Sequence, residues 1–105
     1  MAWIYLLLAG LLEVVWAYSM KLSDGFSKPL PAVVTIVTMI GSFALLSLAM
    51  RSLPLGTAYT IWTGIGAVGA FVLGIVALGE PVTPMRFGAA VLIVSGLVLM
   101  KLSAT

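Results

Sequence analysis

An all-α membrane protein, folded as a four-transmembrane-helix bundle, is the fold class this sequence predicts, and three observations carry it. Of 105 residues 63% are hydrophobic and only 8% charged, with mean hydropathy +1.28, whereas soluble domains carry about 25% charged residues. The apolar residues fall into four stretches, Trp3–Met20, Leu30–Met50, Leu55–Leu78 and Met85–Met100. Each is close to the ~20 residues a helix needs to cross ~30 Å of hydrocarbon. The links between them are very short, which favours an up-and-down bundle. The four spans consume most of the chain, so residues 1–105 read as a single integral membrane domain. There is no Cys and no His, which removes thiol chemistry, the commonest transition-metal ligand and the usual general base. With only three carboxylates besides, a hydrolytic or metal-dependent enzyme is disfavoured, and neither a metal site nor a cofactor is expected.

Span one carries Glu13 in the middle of its apolar run. An acidic or basic side chain at a helix centre costs roughly 2.5–3.5 kcal/mol on insertion scales, so it normally lines an interior or a watery path and serves as a cation or proton site. The plainer alternative is a structural carboxylate bonded to a neighbouring helix. A cleaved signal peptide does not fit, because the stretch lacks a basic start and carries Glu13 inside its apolar part. Helical spacing places Ala9, Gly10, Trp16 and Ala17 beside Glu13. The small residues thin that face, and Trp16 would form a wall of the site.

The link to span two, Lys21 to Pro29, contains the turn signal Asp24-Gly25. On span two, Thr35, Thr38 and Ser42 form a hydroxyl stripe, with Ser42 at about the depth of Glu13. Such hydroxyls often bond only to the carbonyl four residues back; the sharper reading is that Ser42 orients Glu13. Arg51-Ser-Leu-Pro54 leads into span three, where Tyr59, Trp62, Thr63, Gly66 and Ala70 share one face. Gly64 and Gly66 lie mid-span, and paired glycines are a known cause of kinks, so a hinge is expected there, with close helix packing as the alternative. Gly79-Glu80-Pro81-Val-Thr83-Pro84 joins the last two spans, with Thr83-Pro84 as a helix cap and first position. Span four has no ionisable group in its core; Ala89 and Gly96 lie seven apart and suit packing between two copies.

Orientation follows the Lys and Arg counts at the two membrane faces. Arg51 and Lys101 lie at one end, and Lys21, Lys28 and Arg86 at the other. So small a bias allows insertion both ways, and two oppositely inserted copies could pair as an antiparallel, dual-topology homodimer. Transport sites often lie between inverted halves, and four helices alone hardly enclose a path. No basic residue lies deep in a span to balance Glu13, so its partner is a proton or an external cation. Competition between the two for one carboxylate suffices for antiport if the site faces one side at a time. Aromatic walls attract cations by ~0.5–2 kcal/mol, and a guanidinium fork matches a carboxylate; a bulky aromatic cation would need a wider pocket.

Over its whole length the chain resembles the small multidrug resistance family, on its four short spans, Glu13, Ser42 and the run Tyr59-Thr-Ile-Trp62-Thr63-Gly64-Ile-Gly66. Within that family Glu13-Val-Val-Trp16-Ala17, Gly56-Thr57-Ala58-Tyr59 and Gly79-Glu80-Pro81 are similar to the guanidinium exporter subtype. In the multidrug subtype a small residue typically replaces Trp16. The resemblance implies a proton-coupled antiporter exporting guanidinium and small guanidinyl cations from a bacterial cytoplasmic (inner) membrane, as an antiparallel homodimer, with protons as the coupling ion. It implies that Glu13 binds proton and substrate alternately, that Ser42, Trp62 and Trp16 orient its carboxylate, that Tyr59 gates or steers, and that Gly64-Ile65-Gly66 is a kink. Thr60 departs from the family, whose members commonly carry Ala there. Three other readings compete: an exporter of bulky quaternary ammonium cations, which a bulky Trp16 disfavours; a non-transporting membrane assembly subunit; and a passive cation channel.

Overall fold

A computed structural model describes residues 1–103. It contains four helices: α1 Ala2–Leu22, α2 Pro29–Ala49, α3 Leu55–Leu78 and α4 Pro84–Ser103. All four are long and apolar enough to span a membrane, and there is no strand among the described residues. The helix limits lie within three residues of those expected from hydropathy, because charged and turn-forming residues stop each apolar run.

Local chemistry sets the ends. Pro29 and Pro31 open α2, where a missing N–H costs nothing. At α4 the expected cap forms: the Arg86 N–H donates to Thr83 Oγ1 at 3.1 Å. α3 ends at Gly79 in the left-handed region (φ 69°), a common helix stop, and the Glu80 N–H then donates to the Gly74 carbonyl at 3.0 Å. The first link is tighter than its turn signal suggests. Asp24, Gly25 and Phe26 are all left-handed, at φ 50°, 70° and 67°. Buried Ser23 holds them: its hydroxyl donates to the Met20 carbonyl (2.7 Å) and accepts from the Phe26 N–H (3.0 Å).

α1 packs against both α2 and α3, while the α4 backbone lies close to α3 alone and reaches α1 through Lys101, whose ammonium sits 4.7 Å from the Trp3 ring centroid. The closed core is small and lies among the first three helices: Leu6, Ala9, Leu46, Ala49, Ala58, Ile61 and Trp62. No residue of α4 is buried. The Cα extents are 43 × 35 × 16 Å, so the chain is a slab about two packed helices deep.

Glycine decides where the helices approach. A Cβ on Gly10 would stand 2.5 Å from the Ile65 side chain; one on Gly69 would meet Val14, and one on Gly64 would meet Leu97. Gly64 thus receives α4, and Gly66, two residues on, receives α1 through Glu13. Both glycines serve close packing, and α3 runs through them as one uninterrupted helix.

Candidate functional site

Three helices meet where α1 carries Glu13. Ser42 Oγ donates to the Ala9 carbonyl at 2.7 Å and accepts from Trp62 Nε1 at 3.0 Å. One buried hydroxyl therefore ties α2 to α1 and α3 to α2. A serine has a single O–H to donate, and Ser42 spends it on Ala9, one turn before Glu13. Trp62 likewise spends its only N–H on Ser42. In this structure neither residue bonds to the Glu13 carboxylate; what they hold is the geometry of the three helices around it. Thr35 and Thr38 follow the plainer course and donate back to Pro31 and Val34, at 2.8 and 2.7 Å.

The Glu13 carboxylate lies against Gly66, where any side chain would collide with it. Its Oε1 is shut off from solvent and has no hydrogen-bond partner, and the same holds for Trp16 Nε1 one turn away. A buried polar group without a partner costs about 1–3 kcal/mol, more when charged. An acceptor and a donor thus stand unpaired within one turn of α1.

Aromatic rings continue from this face. Trp16 meets Phe43 edge-on (centroids 6.4 Å), Phe43 meets Trp62 (5.8 Å), and Trp62 meets Tyr59 (5.5 Å). Phe43 is the ring that joins the expected aromatics, and sequence reasoning passed over it. The available signal was its place beside Ser42 at mid-span; but Phe is common in apolar helices, and the hydroxyl stripe drew attention instead. Tyr59 is 53% exposed and Trp62 only 7%, so Trp62 anchors the row in the core while Phe43 and Tyr59 stand exposed on either side of it.

The remaining expected residues lie apart. Thr63 is exposed. Gly96 faces open space, with no atom within 4 Å of a Cβ built on it, while Ala89 lines a shallow groove against α3. Clefts of about 210, 330 and 520 Å³ lie between α1, α3 and α4, and none of the three is lined by Glu13, Trp16 or Ser42. Among the described residues no group of three His, Cys, Asp or Glu side chains could hold a metal.

Fold and site together define a small polytopic membrane protein with a carboxylate centre inside its helices. The family model described as Small Multidrug Resistance protein matches residues 1–94. A protein named guanidinium exporter in Escherichia coli (strain K12) is 58% identical over 103 residues, 98% of each chain. Its namesake in Salmonella typhimurium (strain LT2) is 58% identical over 104 residues, 99% of each, and that of Citrobacter freundii 56% over 103 residues. The chain belongs to the small multidrug resistance family.

Proposed function

We propose that this protein exports guanidinium and small guanidinyl cations from the bacterial cytoplasmic membrane by exchange for protons at Glu13. The partnerless Glu13 Oε1 carries the reading. A buried carboxylate next to glycine, with no basic residue in reach, is completed either by a proton or by a cation that donates hydrogen bonds. Guanidinium donates two parallel N–H bonds from one edge and so suits a carboxylate. The aromatic row from Trp16 to Tyr59 supplies ring faces that favour a cation over its hydrated state. The names borne by relatives 56–58% identical across nearly the whole chain supply the substrate.

The working unit is an antiparallel homodimer. A slab 16 Å deep surrounds nothing alone, and a second, inverted copy brings a second Glu13 to the same space. Trp16 Nε1, unbonded in the protomer, then donates to one of the two carboxylates or lines the space between them, with Tyr59 at its edge. Proton and cation exclude one another from Glu13, so loading from one side and release to the other follows whenever the dimer exchanges its open face.

Protein reconstituted in liposomes tests this. Adding guanidinium should drive proton movement out of the site, with little response to a bulky aromatic quaternary ammonium. Glu13→Gln, which keeps hydrogen bonding but cannot ionise, should abolish both binding and proton movement. A fully active Glu13→Gln protein would reduce Glu13 to a structural role. A response chiefly to the bulky cation would place the protein with the multidrug exporters, and guanidinium current without proton movement would make it a channel.

A further inference from the structure

A groove of about 520 Å³ opens between the start of α1, α3 and the end of α4. Buried Leu6 and Ile61 floor it, and the exposed Ile4, Leu7, Val98 and Leu102 rim it. At the membrane-face end the Lys101 ammonium stands 4.7 Å from the Trp3 ring centroid, and no carboxylate is among the lining residues. At about 100° per residue, Val98 and Lys101 lie on the side of α4 away from Ala89 and Gly96. Ile61 and Ile65 likewise lie on the side of α3 away from Tyr59. The groove therefore looks outward, away from the faces proposed to meet substrate and a second copy. At about 1.5 Å per residue, Leu97 lies roughly 9 Å from the end of α4 and Ile65 roughly 15 Å from the start of α3. The groove thus runs from the interface to about mid-bilayer, the depth of one leaflet.

We propose that this groove binds an anionic glycerophospholipid, a phosphatidylglycerol, with its phosphate at Lys101 and one acyl chain along the Leu6 and Ile61 floor. Charge and depth select this occupant. The mouth offers one ammonium and an indole N–H, both donors to a phosphate. With no lining carboxylate to offset Lys101, a head of net negative charge is balanced there. The ammonium of a phosphoethanolamine head would instead meet Lys101 with like sign. A partner's spanning helix would need a track through both leaflets, and the groove supplies one leaflet only. The α4 backbone lies close to α3 alone, so the lipid joins α4 to α1 beneath the contact of Lys101 with Trp3. The site stands whether or not Glu13 exchanges protons.

Full-length protein in nanodiscs of equal phosphatidylglycerol and phosphatidylethanolamine, with a trace of either lipid carrying a photoreactive acyl chain, tests the site by mass-spectrometric mapping of adducts. Photoreactive phosphatidylglycerol should label peptides containing residues 3–7, 61–65 and 97–102 in preference to α2, and more than photoreactive phosphatidylethanolamine does. Lys101→Gln should weaken the phosphatidylglycerol labelling about five-fold, the worth of one basic residue at an anionic head. Arg51→Gln, at the same membrane face but outside the groove, should leave it unchanged. Val98→Trp fills the groove with an indole and should reduce labelling there by both lipids with Lys101 intact. The comparison of the two lipids on the unaltered chain answers even if the variants fold poorly. Equal labelling by both lipids, uniform labelling around all four helices, or a preference unmoved by Lys101→Gln overturns the proposal. A benzophenone amino acid at position 98 should cross-link to lipid; cross-linking chiefly to a second copy would also overturn it, by showing that protein covers the groove.

Discussion

At the scale of single residues, the site depends on who holds which hydrogen bond. Ser42→Ala would strand the Trp62 N–H, a buried donor costing about 1–3 kcal/mol when unpaired, while the Ala9 carbonyl keeps its bond within α1. A stability loss in that range is expected in chemical unfolding from detergent, together with a shift in Trp emission as Trp62 loses its bond. Gly66→Ala would place a methyl group where the Glu13 carboxylate lies. Guanidinium binding should fall at least ten-fold while the helix content read by circular dichroism stays constant. If proton and cation compete for Glu13 as proposed, apparent guanidinium affinity should decrease as pH falls and level off at high pH; a pH-independent affinity would remove proton competition. Glu13 itself was legible in the sequence, since a lone carboxylate in an apolar run has few explanations. Its contact with Gly66 was not, because the pairing of two helix faces depends on tertiary packing that neither face encodes alone.

At the scale of elements, hydropathy marked all four helices, and turn chemistry marked their ends: Thr83 caps α4 and Gly79 closes α3 as the residue types require. What lay beyond the sequence was the use each polar residue would find. Thr35, Thr38 and Ser42 share a stripe, yet two of the three bond within their own helix and only Ser42 crosses to another. The periodicity is the same for both outcomes; the difference lies in which neighbour comes close. The glycines of α3 and α4 separate in the same way. Gly64→Ala should push α4 outward through Leu97, whereas Gly96→Ala meets nothing within the protomer and gains about 1 kcal/mol of helix propensity. If α4 joins two copies through its Gly96 face, Gly96→Ala should nevertheless lower the dimer fraction seen by in-membrane energy transfer. An unchanged dimer fraction would move the interface to another face of the helix.

At the scale of the whole molecule, the balance of charge between its two ends was legible from the sequence, and the thinness of the protomer was not. Span counting gives four helices but not whether they close into a ring, and here the α4 backbone lies close to α3 alone. Arg51 and Lys101 oppose Lys21, Lys28 and Arg86, so a single cysteine placed at position 28 of this Cys-free chain should react with impermeant reagents from both sides of the membrane. Two added lysines at the end bearing Arg51 should restrict labelling to one side and abolish transport, with activity restored by coexpressing an oppositely biased copy. If the proposed dimer is the working unit, the 16 Å depth of one chain also fixes how export answers to gene dosage. When chains are sparse in the bilayer, productive encounters grow with the square of their surface density. Halving expression then cuts efflux about four-fold, and a cell raising expression modestly under guanidinium load gains capacity steeply until nearly every chain has met another.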